Sequence, residues 1–206
     1  MHRMTTLGWL IVGLFAVIPL SRADTGSREI AAAVLPLPAV LRDAATVVRL
    51  DDAGQPHVLR KGNNGMVCIT DRPGDTHFDV RCYMDSFMPL IYRAHGLMHQ
   101  GKENETQAEM MAEITAEIKA GKLKLPDHPT AGYRCYGPAS GYDPATNSVS
   151  PPVYCWQSIH FPFRTAQEIG LPEESQLTDS QKINTPYVML SGTYWAHVMI
   201  LHPSPK

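Results

Sequence analysis

Four cysteines set the tightest limit on what this chain can fold into. They stand at Cys68, Cys82, Cys135 and Cys155. An even count in an exported chain reads as two disulfides, and four cysteines allow three pairings. Pairing Cys68 with Cys82 and Cys135 with Cys155 is favoured, because each pair brackets one predicted hairpin. The closed loops, of about 15 and about 21 residues, are worth about 3 kcal/mol each in the chain-entropy model. A zinc site made by all four cysteines is the alternative. It lacks any C-x2-C knuckle, so the disulfide reading is preferred.

Export is itself an expectation from the start of the sequence. Arg3 precedes an apolar run, Leu7–Leu20, and Ser21-Arg22-Ala23 supplies small residues at the −3 and −1 positions of a cleavage site. Met1–Ala23 therefore reads as a secretory signal peptide. The apolar run is short of the roughly 20 residues of a membrane span. No membrane insertion is expected after cleavage, and the mature protein is placed in the periplasm or outside the cell. Net charge is −2 with no basic run, which argues against nucleic acid and against an anionic membrane surface as partners.

The region around the first cysteine pair organises the rest. Arg60–Tyr83 reads as a turn, a strand, a polar loop and a second strand. Position 68 falls opposite 82 if the loop centres on Asp75. Gly62-Asn63-Asn64-Gly65 is a turn of residues that tolerate positive φ. A phosphate-cradling loop would need a following helix N-terminus, and a strand follows here. Upstream, residues 24–44 read as a loose segment, because Pro36 and Pro38 interrupt any helix begun at Ile30. Ala45–Leu50 and Pro56–Arg60 read as a strand pair around Asp51–Gly54.

Two helices are expected after the hairpin. Asp85 can cap one that runs to about Gln100, with Phe87, Leu90, Ile91, Ala94 and Met98 as its apolar stripe. Thr106-x-x-Glu109 is a capping box for a second, Gln107–Ala120, stopped at Gly121. Strands follow at Thr130–Tyr136 and Val153–Phe163, and Thr165–Ile169 suits one helical turn. Pro186–Pro203 reads as a hairpin turning at Gly192-Thr193, with Val188 facing His197. The expected architecture is a single α+β domain over 45–206. It has a mostly antiparallel sheet, two helices packed on one side and two disulfide-stapled hairpins.

Parts of this pattern resemble a family of exported bacterial proteins for which no activity is established. The residues are VLRKGNNGMVCITDRP, then DVRCYM, then PYVMLSGTYWAHVMIL. The family has a T-N-G-x-x-C hairpin start, a second cysteine soon after, and an ending like G-T-x-x-A-H-x-M. The resemblance covers about a quarter of the chain, and this chain departs from it at Asn63, Met66 and Tyr194-Trp195. It implies an exported single domain and no particular chemistry.

No catalytic motif stands out. Histidine is the reservoir of candidate chemistry, at His95, His99, His160, His197 and His202, with His57 read as an exposed strand residue. His95 and His99 are four apart and share a helix face, a geometry that can hold zinc or copper. Gly96 stands where a zinc-protease motif would carry its glutamate. Met88 and Met98 on the same helix suit copper as well, although filling the core is the usual work of methionine. His197 lies mid-strand between Trp195 and Met199, as a satisfied core histidine or as a ligand or general acid/base. The sequence thus favours a non-enzymatic exported binding domain, with an envelope protein or small ligand as partner and no cofactor. The alternative is a zinc or copper protein, or a metal-dependent hydrolase, that uses His95 and His99 with His197.

Overall fold

The computed structural model describes residues 22–72, 74–99 and 106–201. The apolar run Leu7–Leu20 and His202 lie outside them. In chain order come helix α1 (Arg22–Ala33), short helix α2 (Ala39–Arg42), and strands β1 (Thr46–Leu50), β2 (Pro56–Arg60), β3 (Met66–Ile69) and β4 (His77–Met84). Helices α3 (Met88–His99) and α4 (Gln107–Lys119) follow, then β5 (Thr130–Pro138), β6 (Tyr142–Asp143), β7 (Ser148–Val149) and β8 (Tyr154–His160). Short helices α5 (Ala166–Ile169) and α6 (Asp179–Lys182) lead to β9 (Tyr187–Met189) and β10 (His197–Leu201).

Eight strands form one sheet in the order β2-β1-β3-β4-β5-β8-β10-β9. Only β1 and β3 pair in parallel; the other neighbours are antiparallel. The α+β class and the mostly antiparallel sheet are as expected. Both disulfides join cross-strand partners, Cys68 to Cys82 and Cys135 to Cys155, with Cα atoms 4.0 and 4.1 Å apart. The side chains of both bridges point to the same side of the sheet, since Val80, next but one to Cys82, pairs with Cys135.

The helix count differs from the expectation: the described residues hold six helices, and they cover both faces of the sheet. Helix α1 is the main correction, because it occupies part of the segment read as loose. Pro36 and Pro38 lie beyond its last turn, so they end a helix instead of preventing one. Ala32, Ala33, Val34 and Leu37 are buried. The alanines let α1 approach closely: Cys82 Sγ lies 3.4 Å from Ala33 O. Phe78, Val80, Val47 and both bridges complete this dry layer.

Helices α3 and α4 cover the opposite face, as expected. The Thr106–Glu109 capping box forms, with Thr106 accepting the Glu109 amide and Glu109 accepting the Thr106 amide. Phe87, Leu90, Leu97 and Ile114 are almost wholly buried against Val67, Ile69 and Tyr83. Each such side chain contributes about 2 kcal/mol of burial. The stripe turns slightly from the expected one: Met88 and Leu97 are buried while Met98 is 45% exposed. The β1–β2 turn sets this rotation. Gly54, at φ 77°, sits so close to α3 that a Cβ would fall 2.2 Å from Tyr92 O and 3.0 Å from Gly96 N.

The last hairpin corrects the sequence reading. Val188 pairs with Val198, and His197 pairs with Met189. The turn is wider than a two-residue loop, running from Leu190 to Ala196 between the strands. Thr193 O accepts the amides of Phe163 and Ala196, which folds this loop against the end of β8. The Gly62–Gly65 turn is held by the backbone just before β1, with Ala44 O accepting the Asn63 and Asn64 amides. No helix among the described residues is long and apolar enough to cross a membrane.

Candidate functional site

The α3/α4 face of the sheet is not uniformly dry. Strand β4 puts Asp79, Arg81 and Tyr83 on it by its period of two, and β5 adds Gly132, Arg134 and Tyr136 in register. Arg81 and Arg134 are therefore direct cross-strand partners. Like charges in that position destabilise a sheet. Asp79 resolves the conflict. Its Oδ1 and Oδ2 accept from Arg134 Nε and Nη2 at 2.8 and 2.9 Å, and its Oδ2 also accepts from Arg81 Nη2.

The three side chains are only 17–31% exposed. Their interactions are thus stronger than those of surface pairs. The Arg134 guanidinium also lies over the rings of Tyr136 and Trp156, 4.6 and 5.5 Å from their centroids. Burial opposes its charge, but the hydrogen bonds and charge of Asp79 more than offset that and raise its pKa.

Above this row, a cleft of about 470 Å³ opens between α3, α4 and the sheet. That lies within the range of small-molecule sites. Ile69, Ile91, Ala94, Met111, Ile114 and Trp195 form its apolar walls, and Arg81, Arg134 and Asp79 form its polar floor. Tyr194 stands at one side, its hydroxyl pushed up to about 12 by burial. Leu190, in the left-handed region at φ 53°, closes the same side. A larger but more open groove, about 710 Å³, runs along Leu123–Pro129 and Phe161–Arg164, with Lys124, Asp127, His128 and Arg164 in its lining.

His95 and His99 lie at the mouth of the cleft, with ring centroids 4.4 Å apart. Arg72 Nη1 donates to His99 Nδ1 at 2.9 Å, and Arg72 Nη2 pairs with Asp52 at 3.0 Å. The pKa of His95 is pulled down to about 4 by burial and then by His99, Arg81 and Arg72. That of His99 is lowered by burial and by Arg72. Both shifts favour the neutral imidazole.

His197 is elsewhere. It is buried on β10, its Nδ1–H donating to Trp195 O at 2.7 Å. It stacks obliquely on His160, 5.0 Å away between centroids. His160 Nε2 lies 3.1 Å from Ser158 Oγ, and its Nδ1 is buried with no hydrogen-bond partner among the described residues. Burial first, and the His197 charge second, hold the His160 pKa down to about 3. Phe87, Tyr83 and Trp195 enclose the ring. Gly132 makes the room: a Cβ there would fall 2.7 Å from Ser158 Oγ and 2.9 Å from His160 Nε2. The three histidines grouped as a metal set are thus divided between two places; Trp195 lines the cleft and also contacts His160 and His197.

Met88 is a core residue, whereas Met98 lines the cleft. His57 is exposed on β2, 3.4 Å from Asp51. Among the described residues, no group of three or more His, Cys, Asp and Glu is placed to hold a metal ion. The Arg81–Asp79–Arg134 row is the feature that sequence reasoning missed. Its only sequence signal is charge at alternate positions of β4, and the β4–β5 register that completes it spans some 50 residues of chain. Comparison with protein-family models, curated proteins and solved structures finds no match for this chain.

Proposed function

We propose that the protein is an exported, non-enzymatic binding domain that holds a small molecule in the cleft between α3, α4 and the sheet. The cleft carries this reading: apolar and aromatic walls enclose a few converging polar groups, the usual composition of a ligand site. Export is supported by the signal-like residues 1–23 and by two disulfides, which belong to an oxidising compartment. The resemblance to exported bacterial proteins agrees with that placement.

The neutral fluorescent probe N-phenyl-1-naphthylamine tests the cleft. Saturable enhancement at one site per chain is expected. It should be lost in Ala94→Trp and in Met98→Trp, the second being an exposed position that leaves the core intact. Absence of saturable binding, or binding retained in both folded variants, overturns the reading.

A metal reading keeps one supporting observation, the His95–His99 pair facing the cleft. A cation there would meet Arg72 and Arg81, whose charges already depress His95. Elemental analysis of protein purified without chelator or His-tag, beside His95→Ala/His99→Ala, separates the two. One equivalent of zinc or copper, lost in the variant, would favour the metal reading.

A further inference from the structure

The cleft has a chemical polarity that narrows its ligand. Resting on the proposed ligand-site reading, we infer that Arg81 and Arg134 form an anion-binding floor, and that the ligand is a small amphipathic carboxylate.

The charge balance of the floor is the first argument. Two guanidinium groups share one carboxylate, so the row carries one net positive charge at a half-buried position. Asp71 and Asp75 also line the cleft; Asp71 Oδ1 accepts the Asp79 amide and Asp75 Oδ1 accepts the Thr76 amide. Arg72 is tied to Asp52 and His99. Burial and the neighbouring arginines favour the neutral form of His95 and His99. Asp79 leaves the second guanidinium of the row without a carboxylate of its own, and a ligand carboxylate can supply it.

Donor geometry is the second. Each guanidinium has five N–H donors in a planar fork, and Asp79 takes two from Arg134 and one from Arg81. Arg81 thus keeps donors that can meet a carboxylate in parallel, the arrangement arginine favours. The third argument is the wall. Trp195, Met111, Ile91 and Ile114 bury an apolar body, which excludes a fully polar anion as the best fit.

A matched pair of probes tests the inference: 2-naphthoate and its neutral isostere 2-naphthamide, titrated by calorimetry at pH 7.5. Naphthoate should bind about tenfold or more tightly than naphthamide, as expected for charge-assisted hydrogen bonds. Arg81→Gln should abolish that preference, lowering naphthoate affinity far more than that of naphthamide. Arg81→Lys should restore part of it. The preference should also shrink with added sodium chloride in the unaltered protein, a readout that needs no variant.

Equal affinity for the two probes overturns the inference, as does a preference that survives Arg81→Gln and high salt. If N-phenyl-1-naphthylamine still binds in that case, the cleft reading stands and only its charge selectivity falls. If none of the three compounds binds, both fall together.

Discussion

The two faces of one sheet are held by different means. On the α1 side, two disulfides, Val47, Phe78 and Val80 meet a helix that presents alanines. That layer has short side chains and close approach, with Cys82 Sγ only 3.4 Å from a helix carbonyl. On the α3/α4 side, large side chains hold the helices at one end, while charged residues and a cleft occupy the other. The contrast assigns labour. Covalent bridges fix β3 to β4 and β5 to β8 from one side, which leaves the other free to carry an arginine pair that packing alone would not favour.

The strongest way to break this comparison is to remove a bridge. Cys68→Ala/Cys82→Ala should lower stability to guanidinium by about 3 kcal/mol. The loss should appear in the β3–β4 amides by hydrogen exchange, ahead of those of α4. A loss below about 1 kcal/mol would mean that the α1 layer does not depend on the bridge.

Asp79→Ala should cost about 2 kcal/mol, because Arg81 and Arg134 would then face each other unpaired. Partial exposure keeps this below the cost of breaking a fully buried pair. Chemical denaturation at low and high salt checks it. The deficit should shrink as salt screens the two arginines.

Acid sensitivity should belong to the α3/α4 face. The pKa of His160 is about 3 in the folded protein and near 6.5 when unfolded. Below about pH 6.5 the unfolded chain takes up a proton that the folded one refuses. Stability is therefore full above pH 6.5 and falls as pH drops toward 3. His160 contributes a slope of about 1.4 kcal/mol per pH unit over most of that window. His95 acts in the same direction, but less, because it is half-exposed. His160→Phe should flatten the acid limb by close to one proton in urea titrations at pH 4–7.

The smallest effect sharpens the contrast. Arg81→Gln should change stability by less than about 1 kcal/mol, since Asp79 keeps its two bonds to Arg134. A residue retained for binding and not for folding should behave in this way.

What the sequence disclosed follows from how local each feature is. The cysteine pairing was legible because each bridge closes a single hairpin, and α4 because Thr106 and Glu109 write its start. Helix α1 was missed because its prolines were read as interruptions when they are terminators. The β9–β10 register slipped by one because Gly192-Thr193 resembles a tight turn, while Thr193 O is in fact engaged by Phe163 and Ala196. That His95 and His99 share a helix face was legible from their spacing. The floor beneath them was not, since Arg134 meets Asp79 only through a pairing across the whole α3–α4 insertion.

The most direct test of the account is a two-dimensional amide NMR titration of the oxidised protein with 2-naphthoate. The account predicts saturable shifts confined to α3, α4, the middle of β4 and β5, and Leu190–Trp195, with α1 and the β6–β7 hairpin unmoved. Shifts centred on α1, on the open groove at Leu123–Pro129, or absent throughout would contradict it.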